Sequence, residues 1–158
     1  MSSPRIAPGD LDDTGLLVWA FARVAGRVTG TNPPHVFTTL GRTRGLFWGW
    51  LHFAGRLMPG GKLPRRETEL VILRVAHRRG SVYEFEHHAR LGRRVGVTAD
   101  DLDRVREHGV ADGWSHHEAV LLRAVDELLE TRDLGDGTWA ELAAELDPRR
   151  AIELLLLV

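Results

Sequence analysis

The sequence predicts an all-α fold, a helical bundle built around a central antiparallel hairpin of two helices within residues 63–97. Three observations support this prediction. Apolar residues recur with helical spacing in most segments of the chain. Several helix starts are marked by Ser or Thr with an acidic residue three positions later, the pattern of a capping box. No segment shows a convincing strand pattern or a tight strand-to-strand turn.

The N-terminal third predicts two helices and an aromatic-rich segment. The first helix is expected from residue 12 or 13 to residue 25, with an apolar stripe formed by Leu16, Trp19, Ala20 and Val24. A short helix capped by Asn32 should follow and end at Gly41. Residues 46–57 are dense in Trp and Phe. They predict either core packing, or an apolar wall of a ligand pocket or subunit interface.

The central hairpin is predicted from the residues that begin and end its two helices. Pro64 suits the first turn of a helix, where its missing N–H has no partner to lose. Residues 67–77 carry no helix breaker, and Gly80 suits the turn that ends them. A second helix is expected over residues 82–95, and the tight Gly-Ser join makes the two helices antiparallel.

The C-terminal part predicts four further helices. Three of them should begin at capping boxes, formed by Thr98 with Asp101, Ser115 with Glu118, and Thr138 with Glu141. The last helix should start at Asp147-Pro148. Because it stops on five apolar residues, 154–158, we expect either that this end is buried or that the helix continues beyond Val158, and we favour the second.

Length, charge and composition indicate which classes of protein are expected and which are not. A chain of 158 residues is expected to form one domain, residues 1–158. A net charge of −1 predicts no nucleic-acid partner. No apolar run approaches the roughly 20 residues of a membrane span, and no leader peptide is visible, so we expect a cytoplasmic protein without a membrane partner. The absence of cysteine excludes thiolate chemistry and disulfides in this chain.

The first hairpin helix carries one polar residue on an unexpected face. At about 100° per residue, Glu67, Arg74 and Arg78 form one stripe, which we expect to be solvated. Glu69 lies roughly opposite, on the apolar face. A carboxylate on this face is costly unless it is paired, hydrogen-bonded or protonated.

The second hairpin helix places more polar side chains toward the first. Glu84 and His88 lie one turn apart on its inward face, and Ser81 begins that face. Each of the three larger groups has a structural explanation when taken alone: a buried carboxylate, a core histidine, or a stabilising Glu–His pair. Together, Glu69, Glu84 and His88 predict one functional pocket in which acid and base roles are separated.

The same helix carries part of a metal-binding pattern, but no metal site is expected. His87 lies to one side of the inward face, near Tyr83, and Glu84-x-x-His87 fits one half of a di-iron carboxylate site. Such a site needs a second half and further Glu residues, and we find no second half in the sequence.

The spacing Glu69-x11-Ser81-x2-Glu84-x3-His88 resembles the active-site pattern of the carboxymuconolactone decarboxylase and alkyl hydroperoxidase D-like (AhpD-like) superfamily. In the peroxidase branch of that superfamily, two cysteines stand where this chain has Ser81 and Glu84. The Tyr83-Glu-aromatic-x-x-His segment is similar to that of cysteine-free members. The resemblance extends over residues 63–105 and implies an AhpD-like helical bundle.

The resemblance also implies a function. Its conserved Glu and His correspond to Glu69 and His88, which with Glu84 would be the catalytic residues of a decarboxylase-like lyase. Ser81, Tyr83 and His87 would contact the small-molecule substrate, a small cyclic or lactone-type carboxylic acid. No cofactor and no metal are expected, and the family implies a homo-oligomer, a trimer or a hexamer.

Two alternatives stay open at this point. A family member of this kind is easily grouped with alkyl hydroperoxidases or peroxiredoxin-like proteins, but the thiolate that peroxide reduction requires is missing. The chain could also be a non-catalytic helical oligomer whose pocket binds a ligand.

Overall fold

The computed structural model describes residues 4–30 and 32–158, and all regular structure in these ranges is helical. The all-α prediction is therefore confirmed. None of the described helices is long and apolar enough to cross a membrane. The contacts divide the chain into two compact units, one up to Gly55 and one from Arg56 onward. The single-domain expectation stays a prediction.

The N-terminal unit consists of short and medium helices. Their bounds are α1 Leu11–Thr14, α2 Leu16–Thr29, α3 His35–Leu40, a 3₁₀ turn Gly41–Thr43, and α4 Gly45–Leu57, in which the division between the units falls.

The prediction of one continuous first helix is wrong. Gly15 has a φ of 78°, a left-handed value that favours glycine, and it separates α1 from α2. The predicted apolar stripe is wrong as well, since Val18 and Ala22 are buried while Leu16 and Val24 are exposed. Helix α2 therefore buries a different face from the one that the predicted apolar stripe indicates.

The short third helix is present, but Asn32 does not cap it. Pro34 stands at the N-cap and no side chain caps the helix, which ends at Gly41 as expected. The aromatic-rich segment forms α4, and Phe47 is fully buried within a cluster of rings from Phe21, Phe37, Trp48 and Trp50. Core packing thus accounts for Phe47.

The second unit contains the predicted hairpin and the helices around it. Their bounds are α5 Arg65–Arg78, α6 Val82–Arg93, α7 Ala99–Val105, α8 His116–Thr131, α9 Asp136–Glu145 and α10 Pro148–Leu157. One apolar cluster joins α5 to α8, α9 and α10, and another joins α5 to α6, α7 and α8. Helix α5 therefore lies in the middle of this unit.

Two of the three predicted capping boxes are present, at Thr98 and at Ser115. The third, at Thr138, is wrong. Helix α9 begins three residues earlier, with Gly135 at its N-cap. The Gly135 N–H donates to Glu127 Oε1 over 2.7 Å, so a side chain of α8 fixes this start.

The prediction of a solvated stripe on α5 is wrong for its middle residue, Arg74. Arg74 is only 1% exposed. Its Nη2 lies 2.6 Å from Asp126 Oδ2 on α8, and its other donors reach the carbonyls of Val105, Glu107 and Gly109. Arg74 is buried because α8 and the segment after α7 cover this side of α5.

Candidate active site

The hairpin brings α5 and α6 close together at Gly92. A Cβ built on Gly92 would lie 3.0 Å from Val97 Cγ2 and 3.6 Å from Glu69 Cβ. Any larger side chain would have to displace Val97. Since His88 precedes Gly92 by about one helical turn, this close approach places the His88 ring against Glu69.

Glu69 and His88 form a buried hydrogen-bonded pair. The distance from His88 Nδ1 to Glu69 Oε2 is 2.8 Å, and the two residues are 6% and 0% exposed. The second carboxylate oxygen of Glu69 accepts a hydrogen bond from Arg65 Nη2. Arg65 and His88 thus supply the partners that a buried carboxylate needs.

Arg65 was missed by the sequence analysis. It stands four residues before Glu69 on the same helix, the spacing at which a cation and a carboxylate meet on one helix face. That spacing alone could have identified Arg65 as the partner of Glu69.

Glu84 closes the other side of His88. Its Oε2 lies 3.5 Å from His88 Nε2, and its side chain is 41% exposed. The hydrogen bond with His88 lowers the pKa of Glu84, and partial burial opposes this shift. The structure therefore brings Glu69, His88 and Glu84 together, with Glu84 on the open side.

The two carboxylates determine the charge of His88. Burial lowers its pKa, but the hydrogen bonds with Glu69 and Glu84 outweigh burial and raise the pKa of His88 from 6.5 to about 9. At neutral pH the ring is therefore an imidazolium whose Nδ1–H points to Glu69 and whose Nε2–H points to the exposed side.

Tyr83 and His87 lie next to each other beside this pair. Their rings stack at 6.2 Å with an angle of 10° between their planes, and the His87 ring meets the His88 ring edge-on at 5.4 Å. Burial, and then the charge of His88, lowers the pKa of His87. One neutral and one charged imidazole thus stand next to each other.

The prediction that Ser81 begins the inward face stays a prediction, and the structure places Ser81 at a cavity. Phe85 and Glu86 border the same cavity, and neither Glu69 nor His88 lines it. Ser81 occupies the N-cap of α6, where the chain has not yet entered the helix.

The donor groups of the site are arranged for proton transfer. Within residues 4–30 and 32–158, no group of three or more His, Cys, Asp or Glu side chains is arranged to hold a metal ion. A charged imidazole held by one buried and one partly exposed carboxylate can donate a proton at Nε2 and recover it from solvent.

Comparison with known proteins supports the family assignment. A sequence model described as the carboxymuconolactone decarboxylase family matches residues 44–127, just over half of the chain. No curated protein matches the sequence significantly.

A solved structure shares the fold. It is the crystal structure of a cysteine-to-alanine variant of the debrominase Bmp8 in complex with 2,3,4-tribromopyrrole. It is 16% identical to this chain, superposes with a TM-score of 0.79, and the match covers 98% of this chain and 82% of the other. The family match includes α5 and α6 with Glu69, Glu84 and His88. The chain belongs to the carboxymuconolactone decarboxylase family.

Proposed function

We propose that this chain is a cofactor-independent, decarboxylase-like lyase that acts on a small cyclic or lactone-type carboxylic acid. The observation that carries the proposal is the buried Glu69–His88 pair, with Nε2 of the charged ring directed to the partly exposed Glu84. An imidazolium in this position is a general acid close to solvent.

The proposed step is a loss of carbon dioxide followed by protonation. The bond between the carboxylate carbon and the ring of the substrate breaks, and its electron pair passes into a conjugated carbonyl group of the ring, which becomes an enolate. His88 Nε2 then gives its proton to the carbon that lost the carboxylate. The neutral ring regains a proton from water, so the enzyme ends in the state in which it began.

The neighbouring residues have separate roles in this proposal. Glu69, fixed by Arg65, holds the His88 ring in one orientation and stabilises its charge. Glu84 either binds a substrate hydroxyl or returns protons to His88. Tyr83 and His87 stay proposed substrate contacts because they lie beside the pair, whereas the position of Ser81 on another cavity does not support such a contact.

Peroxide reduction is not supported as an alternative. The thiolate on which that chemistry depends is absent from this chain, and Ser81 and Glu84 stand at the corresponding positions.

The proposal is tested by incubating the protein with a panel of lactone and cyclic carboxylic acids and measuring carbon dioxide release and products. We expect turnover in the native chain and a loss of at least about 100-fold in His88→Gln, the scale of general acid catalysis. Glu69→Gln should also reduce turnover strongly. His108→Gln, at an exposed position on the same unit, serves as the matched control and should leave turnover unchanged.

Two results would count against this function. Turnover that survives in His88→Gln would remove His88 as the proton donor. Ligand binding without turnover for every acid in the panel would favour a non-catalytic binding protein.

We also propose that the protein is a homo-oligomer, a trimer or a hexamer as the family resemblance implies. Exposed apolar side chains on α2 support it, among them Leu17, Val24 and Val28, because monomers rarely expose large apolar patches. The cytoplasmic location stays a prediction.

A further inference from the structure

A second cavity lies at the turn of the α5–α6 hairpin. Its volume is about 240 Å³. The residues that line it come from the end of α5, the start of α6 and the residue after α7, and they are Ala76, His77, Gly80, Ser81, Val82, Phe85, Glu86 and Arg106. Glu69, Glu84 and His88 are not among them, so this cavity is separate from the candidate active site.

The walls of the cavity are apolar and partly aromatic. Ala76 and Phe85 belong to the apolar cluster that joins α5, α6, α7 and α8, and both are buried. The His77 ring meets the Phe85 ring edge-on at 6.4 Å. Val82 completes the apolar side. A small flat ring fits such walls better than a flexible polar chain, since apolar and aromatic surfaces form most of a ligand pocket.

One side of the cavity is formed by the Arg106 guanidinium, which has N–H groups available to a ligand. The Arg106 guanidinium lies over the Phe85 ring, 4.5 Å from its centre, which holds the guanidinium plane in place. The hydrogen bonds of Arg106 within the described ranges go to Leu102 O and Asp103 Oδ1, and both leave from Nη1. Nε and Nη2 are therefore available to an anionic ligand.

Ser81 adds a neutral polar group to the same cavity. Its side chain does not cap α6, so its hydroxyl is free to donate to a ligand oxygen. Two carboxylates lower the affinity for an anion: Glu86, which is exposed and lines the cavity, and Asp103, whose Oδ1 lies 2.9 Å from Arg106 Nη1.

We infer that this cavity is a binding site for a small aromatic or heteroaromatic monocarboxylate, whose ring lies against Phe85 and Ala76 and whose carboxylate pairs with Arg106. The ligand's charge complements the guanidinium, and a planar carboxylate matches its fork of donors. The inference does not depend on the chemistry proposed for His88.

The test uses benzoate as the probe and the uncharged benzamide as its counterpart. Binding is followed by amide chemical shifts of the isotope-labelled full chain, with the affinity taken from the titration. We expect saturable benzoate binding in the millimolar range or tighter, with the shifts centred on Gly80, Ser81 and Phe85, and weaker binding of benzamide.

Three charge variants separate this site from a general surface effect. Arg106→Gln should weaken benzoate binding by about fivefold or more, the scale of one partly exposed charged hydrogen bond. Glu86→Gln should tighten it by about twofold, the scale of an exposed charge pair. Arg93→Gln removes an exposed positive charge elsewhere on α6 and should leave the affinity unchanged.

His88→Gln should leave benzoate binding intact, which separates this inference from the proposed reaction. The inference is overturned if benzoate does not saturate the native chain, if Arg106→Gln and Arg93→Gln change its affinity equally, or if Glu86→Gln fails to tighten it. It is also overturned if the shifts centre on His88.

Discussion

At the scale of residues, the candidate active site is a row of groups with alternating charge. The guanidinium of Arg65, the carboxylate of Glu69, the imidazolium of His88 and the carboxylate of Glu84 follow one another through direct contacts. The two inner groups, Glu69 and His88, each have a partner of opposite charge on both sides. This arrangement lets a buried histidine keep its proton at neutral pH although burial alone disfavours the charge.

The raised pKa of His88 also links stability to pH. Its folded-state pKa of about 9 lies above the ordinary 6.5, so the charged form is favoured in the folded chain. The stability that this charge contributes is complete below about pH 6.5. It is lost as the pH rises through about 9, where the folded chain also releases the proton.

Arg74 is expected to contribute to the stability of the fold and not to the proposed reaction. Arg74→Ala would leave Asp126 and three backbone carbonyls without a buried partner, so we expect a loss of about 3–5 kcal/mol in the free energy of unfolding. Urea denaturation checks this value. Arg78→Ala, on the same helix and 3.5 Å from the same Asp126, is the matched control and should cost about 1 kcal/mol or less, since its side chain is 28% exposed. Equal losses in the two variants would contradict the structural role given to Arg74.

Helical angles alone predicted the inward direction of Glu69, Glu84 and His88 because each of these residues lies within a long regular helix. The same angles failed for Arg74. They describe the faces of one helix, but they do not tell how many neighbours that helix has. Since α5 is covered by α6 on one side and by α8 on another, both of its polar stripes needed buried partners. That information lies in residues distant along the chain.

At the scale of elements, the contact between α5 and α6 depends on Gly92. Gly92→Val should force Val97 away and lower the free energy of unfolding by about 1–3 kcal/mol, as overpacking of a tight contact does. Gly49→Val on α4 is the control, because a Cβ there meets nothing within 4 Å. Thermal or urea unfolding measures both variants. A Gly92→Val chain as stable as the native one would show that this approach does not position the hairpin.

Element boundaries were predictable where the capping chemistry is local. The boxes at Thr98 and Ser115 consist of a side chain and a backbone N–H three residues apart, so the sequence contains the whole motif. The start of α9 instead depends on Glu127 from the preceding helix, and the break at Gly15 depends on a backbone angle. The contact between Gly135 and Glu127 is not visible in the local pattern. Gly15 is visible, but a glycine inside an apolar helical pattern does not by itself show that the helix ends there.

At the scale of the whole molecule, the apolar surface of α2 predicts self-association. Leu17, Val24 and Val28 are 73%, 55% and 70% exposed and lie on one face of the helix. Val24→Glu should therefore reduce the mass measured by light scattering toward that of a monomer. Arg27→Glu, on the same helix at an exposed polar position, should not. A native chain that is already monomeric at micromolar concentration would contradict the proposed oligomer.

The central claim is that His88 is a charged proton donor held by Glu69, and NMR titration of its imidazole tests this most directly. The resonance is assigned by its absence from His88→Gln, and the titration is repeated in Glu69→Gln and, as the control, in Glu86→Gln. We predict that His88 stays protonated at pH 7 and titrates near pH 9, with a midpoint that falls in Glu69→Gln and does not change in Glu86→Gln. A native midpoint at or below 6.5, or one that is unaffected by Glu69→Gln, would contradict the claim.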